Sequence, residues 1–211
     1  MSYDPTPTAT ERRGSARRAG LVGLGVMVAL MWAVEVVDTV LGGRLDLWLG
    51  ILPRQVDGLD GVVFAPFLHA GFSHLLANTV PFVLLGAVIA LAGLARLLTV
   101  SVVVALVGGL GTWLTGGVHE VHIGASGLVF GYAAYLVSRG LFSRRIGQIL
   151  LGAGVVLVWG GTLLTGFLPR DGISWQGHLF GAVGGVVAAW LLDARRRGAE
   201  GQRSMLRSSG F

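Results

Sequence analysis

Residues 75–95 read LLANTVPFVLLGAVIALAGLA, which is 21 residues without a single Asp, Glu, Lys or Arg. A transmembrane helix needs about 20 predominantly apolar residues to cross about 30 Å of hydrocarbon. The run is continuous and does not alternate between apolar and polar positions, which favours a helix over a barrel strand. This stretch therefore predicts a membrane-spanning helix.

Five further runs are similarly long and apolar; they cover residues 21–41, 97–119, 121–138, 146–169 and 172–192. Only the run 21–41 contains acidic residues, which are Glu35 and Asp38. Charged residues make up 13% of the chain, about half the share of a soluble domain. We predict an all-α polytopic membrane protein with six transmembrane helices over residues 19–195. Residues 1–18 are expected to form a disordered cytoplasmic tail, and residues 196–211 a basic cytoplasmic tail.

The arginines are unevenly distributed across these spans. All 16 basic residues are arginine, and six spans place 13 of them on the side of the termini. The other side has Arg44, Arg54 and Arg170. This asymmetry follows the positive-inside rule, so we expect both termini in the cytoplasm, the plasma (inner) membrane as the location, and no binding of nucleic acid.

The first connection on the outer side, residues 42–66, is long, rich in Leu and Val, and contains Trp48. It is too apolar for a solvated loop and too short to span, which indicates a segment lying at the membrane interface. We therefore predict a large first extracytoplasmic loop. The chain has no cysteine, so disulfides and Cys-ligated metals are excluded, and we expect no metal and no cofactor.

Three of the predicted outward-to-inward spans begin with polar side chains at similar depth. They are His74 with Asn78, Ser126, and His178. Ionisable groups at membrane depth are costly and indicate function. A histidine can take the proton of a serine hydroxyl, and fixed donors such as His74, Asn78 and the free N–H groups of a helix start can stabilise an oxyanion.

Small residues make contact between two of these spans possible. Gly127 and Gly131 are four residues apart in the Ser126 span, and Gly181 and Gly185 lie on the His178 face of the last span. Small residues let helix backbones approach closely. We predict that this packing brings the Ser126 hydroxyl and the His178 ring within hydrogen-bonding distance.

Three motifs resemble those of the rhomboid intramembrane serine proteases. His69-Ala-Gly-Phe-Ser-His74-Leu-Leu-Ala-Asn78 resembles the family's H-x(4)-H-x-x-x-N segment. Gly124-Ala125-Ser126-Gly127 resembles G-x-S-G, and Gly177-His178-x-x-Gly181-x-x-x-Gly185 resembles [AG]-H-x-x-G-x-x-x-G. Order, spacing and topology agree with the family over residues 21–193.

The resemblance implies a serine endopeptidase that cleaves membrane proteins in or near their transmembrane segments. Ser126 would be the nucleophile and His178 the base, as a dyad without a carboxylate. His74, Asn78 and the Ser126 backbone N–H would form the oxyanion hole. The expected partners are transmembrane protein substrates and the lipid bilayer.

The chain departs from the family at two places. Asp60-Gly61 stands where members often have Trp-Arg in the first loop, so the loop must be anchored differently. Phe130 stands where many members have a tyrosine that stacks on the catalytic histidine. A phenylalanine ring can still stack, and neither change removes a proton-transfer group.

The other polar residues have structural interpretations. His69 is expected to hydrogen-bond the first loop, and His119 and His122 to lie at the membrane interface. Glu35 and Asp38 are expected to pair with Arg44 or to hydrogen-bond the loop.

Two other functions remain open on the sequence. A catalytically silent rhomboid-like protein that binds membrane clients would have the same fold, although such relatives generally lack the serine or the histidine. A small transporter would need polar residues along a path across the bilayer, whereas the inner halves of these spans are almost purely apolar. Zinc peptidase chemistry is disfavoured, because His119-Glu120-Val121-His122 lacks the H-E-x-x-H spacing.

Overall fold

A computed structural model of the chain describes residues 8–170 and 172–208, with side chains described as far as residue 193. Within these residues the chain is helical throughout its length apart from short connections. The α-helices are α1 (Ala9–Val40), α2 (Arg44–Leu49), α3 (Gly61–Phe64), α4 (Phe72–Ala90), α5 (Leu94–Thr115), α6 (Ser126–Ser143), α7 (Ile146–Gly166) and α8 (Trp175–Ser208).

In the described part of the chain, five helices are long and apolar enough to cross a membrane: α1, α4, α5, α7 and the Trp175–Asp193 part of α8. Their outward faces present many exposed leucine and valine side chains, as expected for surfaces that meet lipid rather than water. The protein is therefore a multi-pass membrane protein.

The N-terminal helix begins earlier than the sequence predicts. The Thr8 hydroxyl accepts the backbone N–H of Glu11, and the Glu11 carboxylate accepts the backbone N–H of Thr8. Such a capping box satisfies donors that the first helical turn leaves unpaired. Residues 9–18 are therefore helical, which differs from the predicted disordered tail, and residues 1–7 lie outside the described part.

The last helix is also longer than predicted. α8 runs for 34 residues from Trp175 to Ser208, whereas the membrane domain was expected to end at residue 195. Alanine, arginine, glutamate and glutamine follow the apolar part, and these residues are good helix formers. The helix therefore continues into the region expected to be a tail.

The turn between α4 and α5 lies inside a run that was predicted as one span. α4 ends at Ala90 and α5 begins at Leu94, so both helices are shifted toward the N-terminus of the predicted spans 75–95 and 97–119. Gly93, between them, has a φ of 105°, which glycine adopts at little cost. Hydropathy could not locate this turn, because the residues that form it are as apolar as their neighbours.

α6 is the helix around which the others pack. It contacts α4, α5, α7 and α8, and its Tyr132 ring stacks on Phe82 of α4 at a centroid distance of 5.3 Å. It contains Arg139 and lies outside the group of five apolar helices. The described residues therefore contain five helices of spanning character where six spans were predicted, and a sixth crossing by α6 is proposed below.

The connection between α1 and α4, residues 41–71, is ordered by short helices and by backbone pairing. Besides α2 and α3 it has 3-10 turns at Val56–Gly58 and Ala65–Phe67. Ile51 and His122 exchange two backbone hydrogen bonds of 3.0 Å, and the Gly124 N–H donates to the Ala65 carbonyl at 2.9 Å. The connection is thereby attached to the segment that precedes Ser126.

Candidate active site

Ser126 and His178 meet where α6 and α8 begin. Ser126 is the first residue of α6, and His178 lies in the first turn of α8. The Ser126 Oγ is 2.8 Å from the His178 Nε2, a normal distance for a hydrogen bond to a hydroxyl. The structure thus brings together the two side chains that the motifs predict to meet.

The second ring nitrogen of His178 is also bound. Its Nδ1 lies 2.7 Å from the carbonyl oxygen of Gly166, the last residue of α7. A carbonyl can only accept, so Nδ1 carries the proton and Nε2 presents its lone pair to the Ser126 hydroxyl. This is the tautomer in which an imidazole can act as a base toward serine.

Phe130 lies flat against the base. Its ring and the His178 ring are stacked at a centroid distance of 4.0 Å and an interplanar angle of 4°. Phe167, just after α7, packs edge-on against Phe130 at 5.2 Å. The rotation of the imidazole is therefore restricted by an aromatic face on one side and by two hydrogen bonds in its plane.

His74 and Asn78 lie beside Gly124, two positions before the serine, and the Asn78 amide donates to the His74 carbonyl at 3.3 Å. The His74 Nδ1 accepts the Ala70 backbone N–H at 3.3 Å, so the proton of a neutral His74 ring is on Nε2. A Cβ atom on Gly124 would lie 3.1 Å from that Nε2 and 3.7 Å from the Asn78 Nδ2. Gly124 also has a φ of 111°, so a side chain there would both strain the backbone and crowd the donors.

The glycines predicted for helix packing lie at the crossing of α6 and α8. A Cβ atom on Gly181 would overlap the backbone of Gly127, and one on Gly185 would overlap the carbonyl of Gly131. The two helices therefore touch through their backbones. This close approach sets the distance between Ser126 and His178.

His69 hydrogen-bonds the segment that precedes Ser126, whereas a bond to the first loop was predicted. It is 1% exposed, and its Nε2 accepts the backbone N–H of Ala125 at 3.2 Å. Burial, with the neighbouring His74 second, lowers the pKa of His69 to about 4. A neutral ring can accept this N–H, whereas a protonated one could not. The partner is a backbone group, which the sequence alone does not reveal.

The two histidines of the α5–α6 connection differ in their exposure, and their predicted position at the membrane interface stays a prediction. His119 is exposed. His122 is only 7% exposed, and its Nδ1 lies 2.8 Å from the Ser174 Oγ. Burial lowers the pKa of His122, while the nearby Glu120 raises it. The partner of His122 is 52 residues away in the sequence, so the spacing of residues does not reveal this contact.

Three acidic residues, Glu35, Asp38 and Asp46, lie close together where α1 meets the first connection. Asp38 accepts the Leu45 backbone N–H at 2.7 Å. It therefore hydrogen-bonds the loop, which is one of the two alternatives predicted for it. Glu35 is buried. Burial, followed by the charges of Asp38 and Glu35, raises the pKa of Asp46 to about 7.

A small cavity of about 50 Å³ lies beside Ser126. Ser126, Gly127, Gly108 and Thr112 form part of its wall. Glycine leaves room where a side chain would fill the space. Among the described residues, no three His, Asp or Glu side chains are grouped so that they could hold a metal ion.

Comparisons with known proteins agree with the motifs. The chain is 47% identical over 203 residues to the uncharacterized protein Rv1337 of Mycobacterium tuberculosis, which covers 92% of this chain and 84% of that protein. It is 34% identical over 156 residues to the putative rhomboid protease YdcA of Bacillus subtilis, covering 73% of this chain and 74% of that protein.

A second Bacillus subtilis protein, the rhomboid protease GluP, is 29% identical over 137 residues, which cover 64% of this chain and 26% of that protein. A family model described as the rhomboid domain matches residues 57–195. This range contains both members of the Ser126–His178 pair and the donors of α4, and it confirms the resemblance. The chain belongs to the rhomboid family.

Proposed function

We propose that this protein is an intramembrane serine endopeptidase that hydrolyses peptide bonds in or near the transmembrane segments of membrane proteins. The observation that carries the proposal is the 2.8 Å contact between the Ser126 Oγ and the His178 Nε2, with Nδ1 held by the Gly166 carbonyl. A serine in this state has a base ready to accept its proton. A binding protein without catalysis would not need such an arrangement.

In the proposed reaction, the His178 Nε2 takes the hydroxyl proton while the Ser126 Oγ attacks the substrate carbonyl carbon. The carbonyl oxygen becomes an oxyanion. The Ser126 backbone N–H, the His74 Nε2–H and the Asn78 amide are the donors proposed to stabilise it. The proton on His178 then passes to the leaving amine, and the acyl group stays on Ser126.

Water completes the proposed cycle by the reverse path. His178 takes a proton from the water, the hydroxide attacks the acyl carbon, and the Ser126 Oγ leaves with the proton returned by His178. Each step uses the same imidazole as base and then as acid. The stacking of Phe130 supports this dual role, because it keeps the ring in one plane through both transfers.

We infer that α6 makes a sixth crossing of the membrane, in addition to the five apolar helices. α6 has 18 residues, which is within the range that spans a bilayer, and neighbouring helices cover it. With six crossings both termini lie on one side. The arginine asymmetry supports a cytoplasmic position for them in a plasma (inner) membrane.

The first test is labelling with a fluorophosphonate probe, which reacts with activated serines, on the full chain in detergent. We expect the wild type to be labelled and Ser126→Ala to be unlabelled. Ser138→Ala is the matched control, since this serine is buried in the same helix but about 18 Å further along at 1.5 Å per residue. It should label like the wild type.

The second test is cleavage of a single-span substrate in proteoliposomes. His178→Ala should abolish turnover while the thermal unfolding temperature stays close to that of the wild type, because the change leaves no buried charge behind. A wild type that neither labels nor cleaves would refute the proposal and favour a client-binding protein. Substrate flux that survives Ser126→Ala would favour a transporter.

A further inference from the structure

A second hydrogen bond joins the same two chain segments as the Ser126–His178 pair. The His122 Nδ1 lies 2.8 Å from the Ser174 Oγ. His122 precedes Ser126 by four residues, and Ser174 precedes His178 by four residues. The segments before α6 and before α8 are therefore connected by two contacts in the same register, with histidine and serine exchanged.

His122 is fixed on its own side of this contact. It is 7% exposed, and its backbone exchanges two hydrogen bonds of 3.0 Å with Ile51. Two residues later, the Gly124 N–H is bound to the Ala65 carbonyl. The ring thus projects from a stretch of backbone that the first connection holds in place.

Ser174 is fixed to the base of the proposed dyad. It immediately precedes α8, where its Oγ accepts the backbone N–H of Gly177 at 3.2 Å. Its carbonyl accepts the backbone N–H of His178 at 3.1 Å. A serine in this position caps the helix, so any shift of Ser174 moves the first turn of α8 and His178 with it.

The charge of Glu120 favours one arrangement of the protons in this second contact. The Ser174 Oγ accepts the Gly177 N–H, and in this arrangement its own hydrogen is donated to the His122 Nδ1. The His122 Nε2 then carries the ring proton. The Glu120 carboxylate lies 3.2 Å from that nitrogen without accepting a hydrogen bond from it. The negative charge of Glu120 favours this tautomer.

We propose that His122 and Ser174 are positioning residues that hold the nucleophile segment and the base helix at the distance at which Ser126 and His178 react. This inference rests on the proposed peptidase function. Both side chains line the cavity beside Ser126, but neither is hydrogen-bonded to the Ser126 Oγ or the His178 Nε2. The glycine contacts of α6 and α8 set how closely the two helices approach. The His122–Ser174 bond fixes how far the start of α8 is shifted and rotated relative to the start of α6.

Loss of the His122–Ser174 contact should change the reaction rate strongly and the affinity for substrate little. A displacement of about 1 Å between reacting groups can cost about 100-fold in rate. Loss of the contact should lower kcat and the rate of fluorophosphonate labelling by about 10- to 100-fold, by the same reasoning. The KM for a transmembrane substrate should change less than kcat, because the contact acts on the distance between Ser126 and His178.

The test compares two replacements of one side chain. His122→Phe keeps the ring volume and removes the hydrogen bond. His122→Asn loses volume but keeps a polar atom near the position of Nδ1. If His122 positions the dyad, the Asn variant labels and cleaves faster than the Phe variant. If His122 only fills space, the Phe variant is the faster one, and the proposal is wrong.

A double-mutant cycle tests the pair. Ser174→Ala should lower kcat, Ser174→Thr should restore most of it, and the variant with both His122→Phe and Ser174→Ala should lose little more than the worse single variant, because coupled residues are not additive. Multiplicative losses would overturn the pairing. His119→Ala, an exposed histidine of the same connection, should behave as the wild type.

The outcomes separate this inference from the proposed function. A wild type that labels at Ser126, together with a fully active His122→Phe protein, refutes the positioning role alone. A wild type that does not label refutes the peptidase itself. Thermal unfolding in the same detergent identifies a variant that has lost its fold. If a His122 variant does not fold, the comparison of Ser174→Thr with Ser174→Ala decides whether the positioning role is correct.

Discussion

Replacing Gly181 with alanine should separate the two helices that carry the proposed dyad. A Cβ atom at this position would lie 2.9 Å from the Gly127 carbonyl carbon and 3.1 Å from its Cα. Carbon atoms pack at about 3.5–4.0 Å, so α6 and α8 must move apart by roughly 1 Å. Both obstacles are backbone atoms, which cannot turn away as a side chain could.

The consequence for chemistry follows from the distance between serine and imidazole. A shift of roughly 1 Å would lengthen the 2.8 Å contact between the Ser126 Oγ and the His178 Nε2 beyond the range of a hydrogen bond. The expected loss in kcat is about 100-fold. The overpacking should also lower the free energy of unfolding by about 1–3 kcal/mol.

The assay is cleavage of a single-span substrate in proteoliposomes, with fluorophosphonate labelling and thermal unfolding on the same preparations. Gly154→Ala is the matched control, since a Cβ atom there meets nothing within 4 Å. It should be as active as the wild type and as stable or slightly more so, because alanine is the better helix former. Equal activity of Gly181→Ala and Gly154→Ala would refute the argument.

Three further changes have defined outcomes. Asn78→Ala should lower kcat by about 10²–10³-fold with activity still measurable, since the proposed oxyanion donors are shared; unchanged kinetics would remove Asn78 from the site. Phe130→Ala should lower kcat more than KM, because His178 loses the ring stacked at 4.0 Å, whereas Phe130→Tyr should stay active; a Phe130→Ala enzyme with unchanged kcat would contradict this. Folding raises the pKa of Asp46 to about 7 from 3.8, so stability is highest below the lower value and falls as the pH rises through 7. The unfolding temperature of the wild type should therefore drop between pH 5 and pH 8, and that of Asp46→Asn should drop less, by an amount equivalent to roughly 1 kcal/mol after screening by solvent; parallel curves would show that Asp46 is not responsible.

The contact between Ser126 and His178 could be predicted because small residues and polar residues occur in the same short stretches of sequence. The glycines of the last span indicated which face would meet α6, and His178 lies on that face. The family to which the chain belongs could be predicted from the same residues. The catalytic roles of these residues stay predictions until the labelling and cleavage experiments are done.

The helix ends could not be placed from hydropathy. The turn at Gly93 is formed by residues as apolar as the helices on either side, and the start of α1 depends on a capping box that lies well before the apolar run. The interactions of His69 and of the His178 Nδ1 were missed for another reason. Their partners are the Ala125 N–H and the Gly166 carbonyl. Every residue has such backbone groups, so residue types do not indicate which of them a histidine will bind.

The carbonyl that holds His178 has a further consequence, because it belongs to the last residue of α7. The peptide dipoles of a helix add up to about half a negative charge at its C-terminus and half a positive charge at its N-terminus. Proton transfer from Ser126 to His178 would create an alkoxide at the positive end of α6 and an imidazolium at the negative end of α7. The ends of α6 and α7 thus favour the charge-separated state, against the positive end of α8, whose first turn contains His178. In a Ser-His-Asp triad an aspartate stabilises the imidazolium instead.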